Sequence, residues 1–207
     1  MLSHVRSALS GRLINTPVRR DGSCVVIDFS RDTVDVVPAF YKGQHQSNWP
    51  LYSIPGRSGD WIETSPAYQA KFISDRDREA GGKLRGLATL MKLWRHCRTP
   101  SIDLSSFFLE MLLAETRLAN GPRTYPALVA ELLALLVQRG GRSLRDPTGT
   151  HGPIDMSKTD FQRQRTNAAI EASLMHARRA VQAANSYGGT AEAQRQWRLV
   201  FNDRVSF

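Results

Sequence analysis

A chain of 207 residues with 41% hydrophobic content is long enough to bury a core, as one domain or as two small lobes, which excludes a disordered tail. The 28 Lys and Arg against 19 Asp and Glu give a formal charge of +9, a field that attracts phosphates or nucleic acid. Two isolated cysteines, Cys24 and Cys97, and five scattered histidines exclude a disulfide framework and a zinc site, so any metal is expected on oxygen ligands and the expected home is reducing cytoplasm. The first residues, MLSHVRSALSGRL, lack an apolar signal core. The most apolar stretch, Ala127 to Val137, is interrupted by Glu131 and too short to span a bilayer, so no membrane partner is expected.

In chain order, Ser23–Phe29 and Val34–Phe40 are rich in β-branched residues and flank the turn-like Ser30-Arg31-Asp32-Thr33, which predicts a hairpin. A second hairpin is expected from Leu51–Ile54 to Trp61–Thr64, turned by Pro55-Gly56-Arg57-Ser58-Gly59-Asp60. Two hairpins leave exposed edges, so this sheet calls for further strands, a covering helix or a partner chain, and self-association through an open edge is one way to meet that need.

From Ser65-Pro66, a cap followed by proline at the first helical position, the pattern becomes helical, which sets an expected boundary between domains 1–64 and 65–207. Gly81-Gly82 stops the first helix. The second, Lys83–Arg98, lines up Leu84, Leu87, Met91, Trp94 and Cys97 at steps of three and four. Helices are expected over 105–119 and 125–139, the latter apolar on most sides and therefore central. An ordered but exposed loop through Asp146-Pro147 to Gly152-Pro153 follows. Ser157 with Asp160 reads as a capping box for a helix to about Asn185, and a last helix runs from Thr190 to Phe201. The fold class is α+β: an incomplete β-sheet lobe, then a larger all-helical lobe.

Asp35 stands out because aspartate disfavours strands yet lies between Val34 and Val36. With a turn centred on Arg31-Asp32, Asp28 falls opposite Asp35, their Cβ atoms about 5 Å apart, close enough to share a proton or a divalent cation. The alternative places Asp28 near a sheet edge and leaves Asp35 alone to face the site.

Four short motifs in one order, Val34-Asp35-Val36-Val37-Pro38, Trp61–Pro66 (WIETSP), Leu90–Trp94 (LMKLW) and Ser106–Glu110 (SFFLE), resemble the CD-NTase family. Asp146-Pro147 and the closing Ala193-x-x-x-Trp197-x-x-x-Phe201 pattern are also similar to it, so the likeness runs from about Val25 to Phe201. The family comprises bacterial relatives of cyclic GMP-AMP synthase and oligoadenylate synthase. It implies a DNA polymerase β-type nucleotidyltransferase core, templateless transfer from NTP substrates with Mg²⁺ (or Mn²⁺), and cyclic or linear nucleotide signals for antiviral defence, with RNA or another activating ligand as a further partner. It implies Asp35 as the third catalytic carboxylate, one that binds a metal; Asp28 is a second candidate metal ligand by the hairpin register alone. Lys92 becomes the helical lysine at the donor triphosphate, where the alternative is a surface lysine, and Ser106 a serine that bonds phosphate, where the alternative is a helix cap. Tyr52 is a candidate base-stacking ring; Trp61 and Trp94 read better as packing.

The family also places a Gly-Ser loop and an Asp-x-Asp pair ahead of VDVVP. Here Gly22-Ser23 leads straight into a strand, and Asp32 and Asp35, three apart, would point to opposite faces. One aspartate cannot position two metals on a triphosphate. The expectation is therefore an N-terminally truncated and inactive or severely crippled chain, unless the missing strands come from another chain or from an extended start of the same gene. The competing expectation is a non-catalytic nucleotide- or RNA-binding interaction module.

Overall fold

The computed structural model describes residues 1–45, 48–56 and 59–204. The expected turn over 55–60 therefore includes Arg57 and Ser58, which lie outside the described residues. The chain divides into two compact units, Met1–Ala70 with Thr148–Gly152, and Lys71–Pro147 with Pro153–Phe207.

The first unit opens with α1 (Leu2–Ser10), which sequence reading does not anticipate, and holds two antiparallel sheets of three strands each. The first sheet has the order β1-β2-β3 from Val18–Asp21, Cys24–Asp28 and Thr33–Val36; the second has β4-β5-β6 from Phe40–Gln44, Pro50–Pro55 and Trp61–Thr64. Both expected hairpins form, as β2–β3 and β5–β6. Each gains a third strand whose sequence carries little β signal. Strand β1 reads VRRD and is exposed over most of its length. Strand β4 reads FYKGQ, and its register shifts between Tyr41 and Gly43, the glycine having φ +117°. Phe40, expected to end the strand that holds Asp35, begins β4 instead. Val25, Val26 and Ile27 of the central strand β2 are all buried, which is why that run is continuously apolar rather than alternating.

The second unit is helical: most of α2 (Pro66–Glu79), then α3 (Lys83–His96), α4 (Ser106–Thr116), α5 (Tyr125–Arg139), α6 (Asp160–Ala184) and α7 (Thr190–Val200). The face expected on α3 is the core face, since Leu84, Leu87, Met91, Trp94 and Cys97 are all buried. Helix α5 is central, with Leu128, Val129, Leu132, Leu133 and Leu136 buried in the same cluster as Met111, Leu112 and Leu113 of α4. Trp94 gives its indole N–H to Ser173 Oγ of α6 at 2.9 Å, which satisfies its one polar atom.

Two expectations need correction. The cap of α6 is Thr159, not Ser157: Thr159 Oγ1 accepts from the Gln162 backbone N–H at 3.2 Å, while the Ser157 hydroxyl donates to the Asp103 carbonyl. Thr159-x-x-Gln162 carries the capping-box pattern two residues further on. The loop after α5 is not exposed throughout. Asp146, Thr148 and Thr150 are buried; Thr148 and Thr150 hydroxyls lie 2.8 Å apart, and Gln69 Nε2 donates to Thr150 Oγ1 at 3.3 Å. Its polar composition serves a buried hydrogen-bonded network rather than water. No described helix is long and apolar enough to cross a membrane.

Candidate nucleotide-binding site

The carboxylates come first. Phe29 N–H bonds the Asp32 carbonyl at 2.8 Å, which centres the β2–β3 turn on Ser30-Arg31, one residue earlier than expected. Moving the centre by one residue moves the pairing by two. Asp28 therefore lies opposite Thr33, and Asp35 lies opposite Val26. The two aspartates share a sheet face as diagonal neighbours, on the order of 7 Å apart by strand geometry, not as the directly opposed pair. Asp28 is also engaged: Arg19 of β1 donates its Nε–H to Asp28 Oδ2 at 3.0 Å and places Nη1 3.6 Å from Asp21. The bond to Asp28 raises the Arg19 pKa above its ordinary value, chiefly by favouring the charged guanidinium. Asp35 is exposed on the edge strand β3.

These groups do not fit a resident Mg²⁺ or Mn²⁺ site. Asp28 spends its charge on Arg19, Asp35 stands across from the apolar Val26, and no group of three or more His, Cys, Asp or Glu among the described residues could hold an ion.

The helical candidates form a different arrangement. Lys92 and Arg95 project from one side of α3 at a spacing of three, and Ser106 and Glu110 from one side of α4 at a spacing of four. Lys92 Nζ closes on Glu110 Oε1. Arg95 Nη1 donates to the Leu104 carbonyl at 2.7 Å and to Ser106 Oγ at 3.3 Å. The contacts make an antiparallel ladder, three residues forward on α3 and four back on α4. The cation beside Ser106 is Arg95, and Lys92 sits one turn away. The helix cap is Ser105, whose Oγ accepts from Phe108 N–H at 3.2 Å, so Ser106 is the first helical residue with its hydroxyl turned to Arg95. Sequence reading missed Arg95. Its signal was available: it follows Lys92 by three residues and therefore shares its face.

Tyr52 lies on β5 opposite Tyr41 and Thr64, its ring edge-on to Tyr41 with centroids 5.9 Å apart. Trp61, 51% exposed, packs against Phe40, which is 54% exposed, while Trp94 is fully buried. The positive charge is uneven. The first unit has seven Lys and Arg against six Asp and Glu, so nearly all the excess lies in the helical unit with Lys92 and Arg95.

No protein-family model matches the sequence, and no curated protein matches it. Solved structures do match. CdnC from E. coli MS115-1, solved with ATP, superimposes with a TM-score of 0.70 at 20% identity over 97% of this chain and 70% of its own. The same CdnC in a CdnC:HORMA-deltaN complex gives 0.67 at 21% identity over the same shares. The Vibrio cholerae cyclic AMP-GMP synthase DncV, in complex with the linear intermediate 5′ pppA(3′,5′)pG, gives 0.72 at 16% identity over 97% of this chain and 57% of its own. This chain thus spans between about half and about two thirds of the length of these proteins. Over nearly all of its residues it has the fold of CdnC and DncV, as the CD-NTase-like motifs led one to expect.

Proposed function

We propose that this chain binds nucleoside triphosphates through its helical unit and descends from a nucleotidyltransferase that makes cyclic or short linear nucleotide signals. The observation that carries this reading is the joint placement of Lys92, Arg95 and Ser106 on adjoining faces of α3 and α4 within a fold shared with proteins solved bound to ATP and to a triphosphate-bearing dinucleotide. Phosphate oxygens are met best by charge-assisted donors, and the guanidinium and the hydroxyl supply them, with the Lys92 ammonium one turn away. Mg²⁺ enters this reading as the ion that accompanies the triphosphate in solution, not as one held by this chain.

A second reading has its own support. The engagement of Asp28 by Arg19 leaves Asp35 as the single candidate catalytic carboxylate, and a chain so equipped binds without turnover. Under this reading it is a nucleotide- or RNA-binding module that works beside another polypeptide in the cytoplasm, with the β3 edge available for pairing to a second copy and a partner protein supplying activation, as the HORMA complex of CdnC illustrates. Calorimetry with MgATP, followed by product analysis on the same sample with radiolabelled NTPs, separates the two. Binding with product supports a working enzyme; binding without product supports the module; no ATP binding at millimolar concentration overturns the first reading and leaves the second to RNA alone.

A further inference from the structure

The two cations on α3 are not electrostatically alike. Lys92 is compensated by Glu110, and both side chains are about one-third exposed. Arg95 is partly buried and meets only neutral acceptors, the Leu104 carbonyl and the Ser106 hydroxyl, with no ion pair to any described carboxylate. A partly desolvated guanidinium without a counter-ion holds an excess positive charge where water screens it poorly, and an anion is the group that relieves it. Ser106 is free to serve the same anion because Ser105 does the capping. The guanidinium also has donors to spare, since one Nη1 makes both of its described bonds.

We propose that Arg95 is the cation that meets the terminal phosphates at Ser106, and that Glu110 restrains Lys92 from doing so. The inference rests on the nucleotide-binding reading above and deepens it, by naming the residue that recognises the triphosphate and the carboxylate that tunes it. Glu110 acts in two ways: it occupies the Lys92 ammonium, and its own charge repels an incoming polyanion one turn from Ser106. Removing that charge while keeping the shape releases Lys92 toward the ligand. Removing the Arg95 charge takes away a charge-assisted contact that Lys92, tied to Glu110, does not replace.

The test is calorimetric binding of inorganic tripolyphosphate and of ATP to the full 207-residue chain and to Arg95→Met, Arg95→Lys and Glu110→Gln, with thermal melts alongside. Arg95→Met is expected to weaken tripolyphosphate binding roughly ten- to a hundredfold. Arg95→Lys should recover part of the loss because the charge returns without the fork. Glu110→Gln should tighten binding by roughly two- to tenfold. If the unaltered chain binds tripolyphosphate and Arg95→Met binds it within a factor of two, the inference fails and the nucleotide-binding reading stands. Weaker binding by Glu110→Gln overturns the restraining role. If the unaltered chain binds neither ligand, both the reading and the inference fall. Should Arg95→Met not fold, NMR of the arginine and lysine side chains in the unaltered chain decides: a shift of the Arg95 guanidinium on saturation supports the inference, and a stationary Arg95 beside a moving Lys92 overturns it.

Discussion

Arg19 Nε and Asp28 Oδ2 stand 3.0 Å apart on the sheet face that also carries Asp35, so a cation of the protein already occupies one of the two carboxylates that a metal ion would need. Removing the cation should return the carboxylate. Arg19→Gln is expected to strengthen Mn²⁺ binding by roughly two- to fivefold, read as loss of the free-ion signal in electron paramagnetic resonance, a modest gain because the pair is exposed. The additional change Asp28→Asn should abolish it. An unchanged affinity in Arg19→Gln would show that Asp28 and Asp35 do not act together.

Stability in the helical unit should depend on Trp94. The ring is fully buried and its N–H is satisfied by Ser173 of α6. Trp94→Phe removes that bond and part of the ring volume, and is expected to cost about 1–3 kcal/mol in urea unfolding. Trp94→Ala should cost more, roughly 3–5 kcal/mol, because a cavity is added to the lost bond. Equal costs for the two substitutions would mean that the hydrogen bond, not the packing, carries the effect.

The buried hydroxyls after α5 make a separate prediction for the first unit. Thr150 Oγ1 lies within hydrogen-bonding distance of Thr148 Oγ1 and accepts from Gln69. Thr150→Val keeps the shape and removes the shared hydroxyl, with an expected loss of about 1–2 kcal/mol by denaturant titration. Thr150→Ser, which retains the oxygen, should lose less. Hydrogen exchange at the start of α2 would report where the loosening occurs.

Acid dependence should be visible at Glu192. Its carboxylate accepts from Arg195 Nε and Nη2, both at 2.7 Å, and from Gln196, and the Arg195 bonds foremost hold its pKa down from 4.5 to about 2. A depressed carboxyl stabilises the fold above the unfolded value, so this contribution is complete above about pH 4.5 and declines as pH falls toward 2. Carbon-detected NMR should find Glu192 still ionised at pH 3.5, when an ordinary glutamate is largely protonated. Arg195→Gln should restore ordinary titration; if it does not, the arginine is not the cause.

Much of this architecture was legible because long periodic segments constrain it. Five residues at steps of three and four fixed the buried face of α3, and Ser65-Pro66 and Gly81-Gly82 marked the two ends of α2. The strands β1 and β4 were not legible, since VRRD and FYKGQ pair through backbone groups that composition does not reveal. The site divided in the same way. Lys92 and Ser106 could be placed on their helices, but the partner of each depends on how α3 meets α4, and that pairing gave Glu110 to Lys92 and Arg95 to Ser106. The relation of Asp28 to Asp35 turned on one residue in a turn, a distinction that Ser30-Arg31-Asp32-Thr33 does not encode by residue type.

The Thr148–Gly152 segment, with Thr148 and Thr150 buried, belongs with the sheets, although the residues on both sides of it belong with the helices. A cut through the sequence therefore cannot divide this protein into its two halves. A polypeptide begun at Lys71 would retain Thr148 and Thr150 but surrender Gln69, leaving two hydroxyls without the amide that now donates to one of them. Anyone seeking the helical half alone would have to begin at Lys71 and also replace 148–152 with a short glycine-serine bridge, and recombination between relatives, in the laboratory or in a genome, exchanges contiguous blocks, which this unit is not.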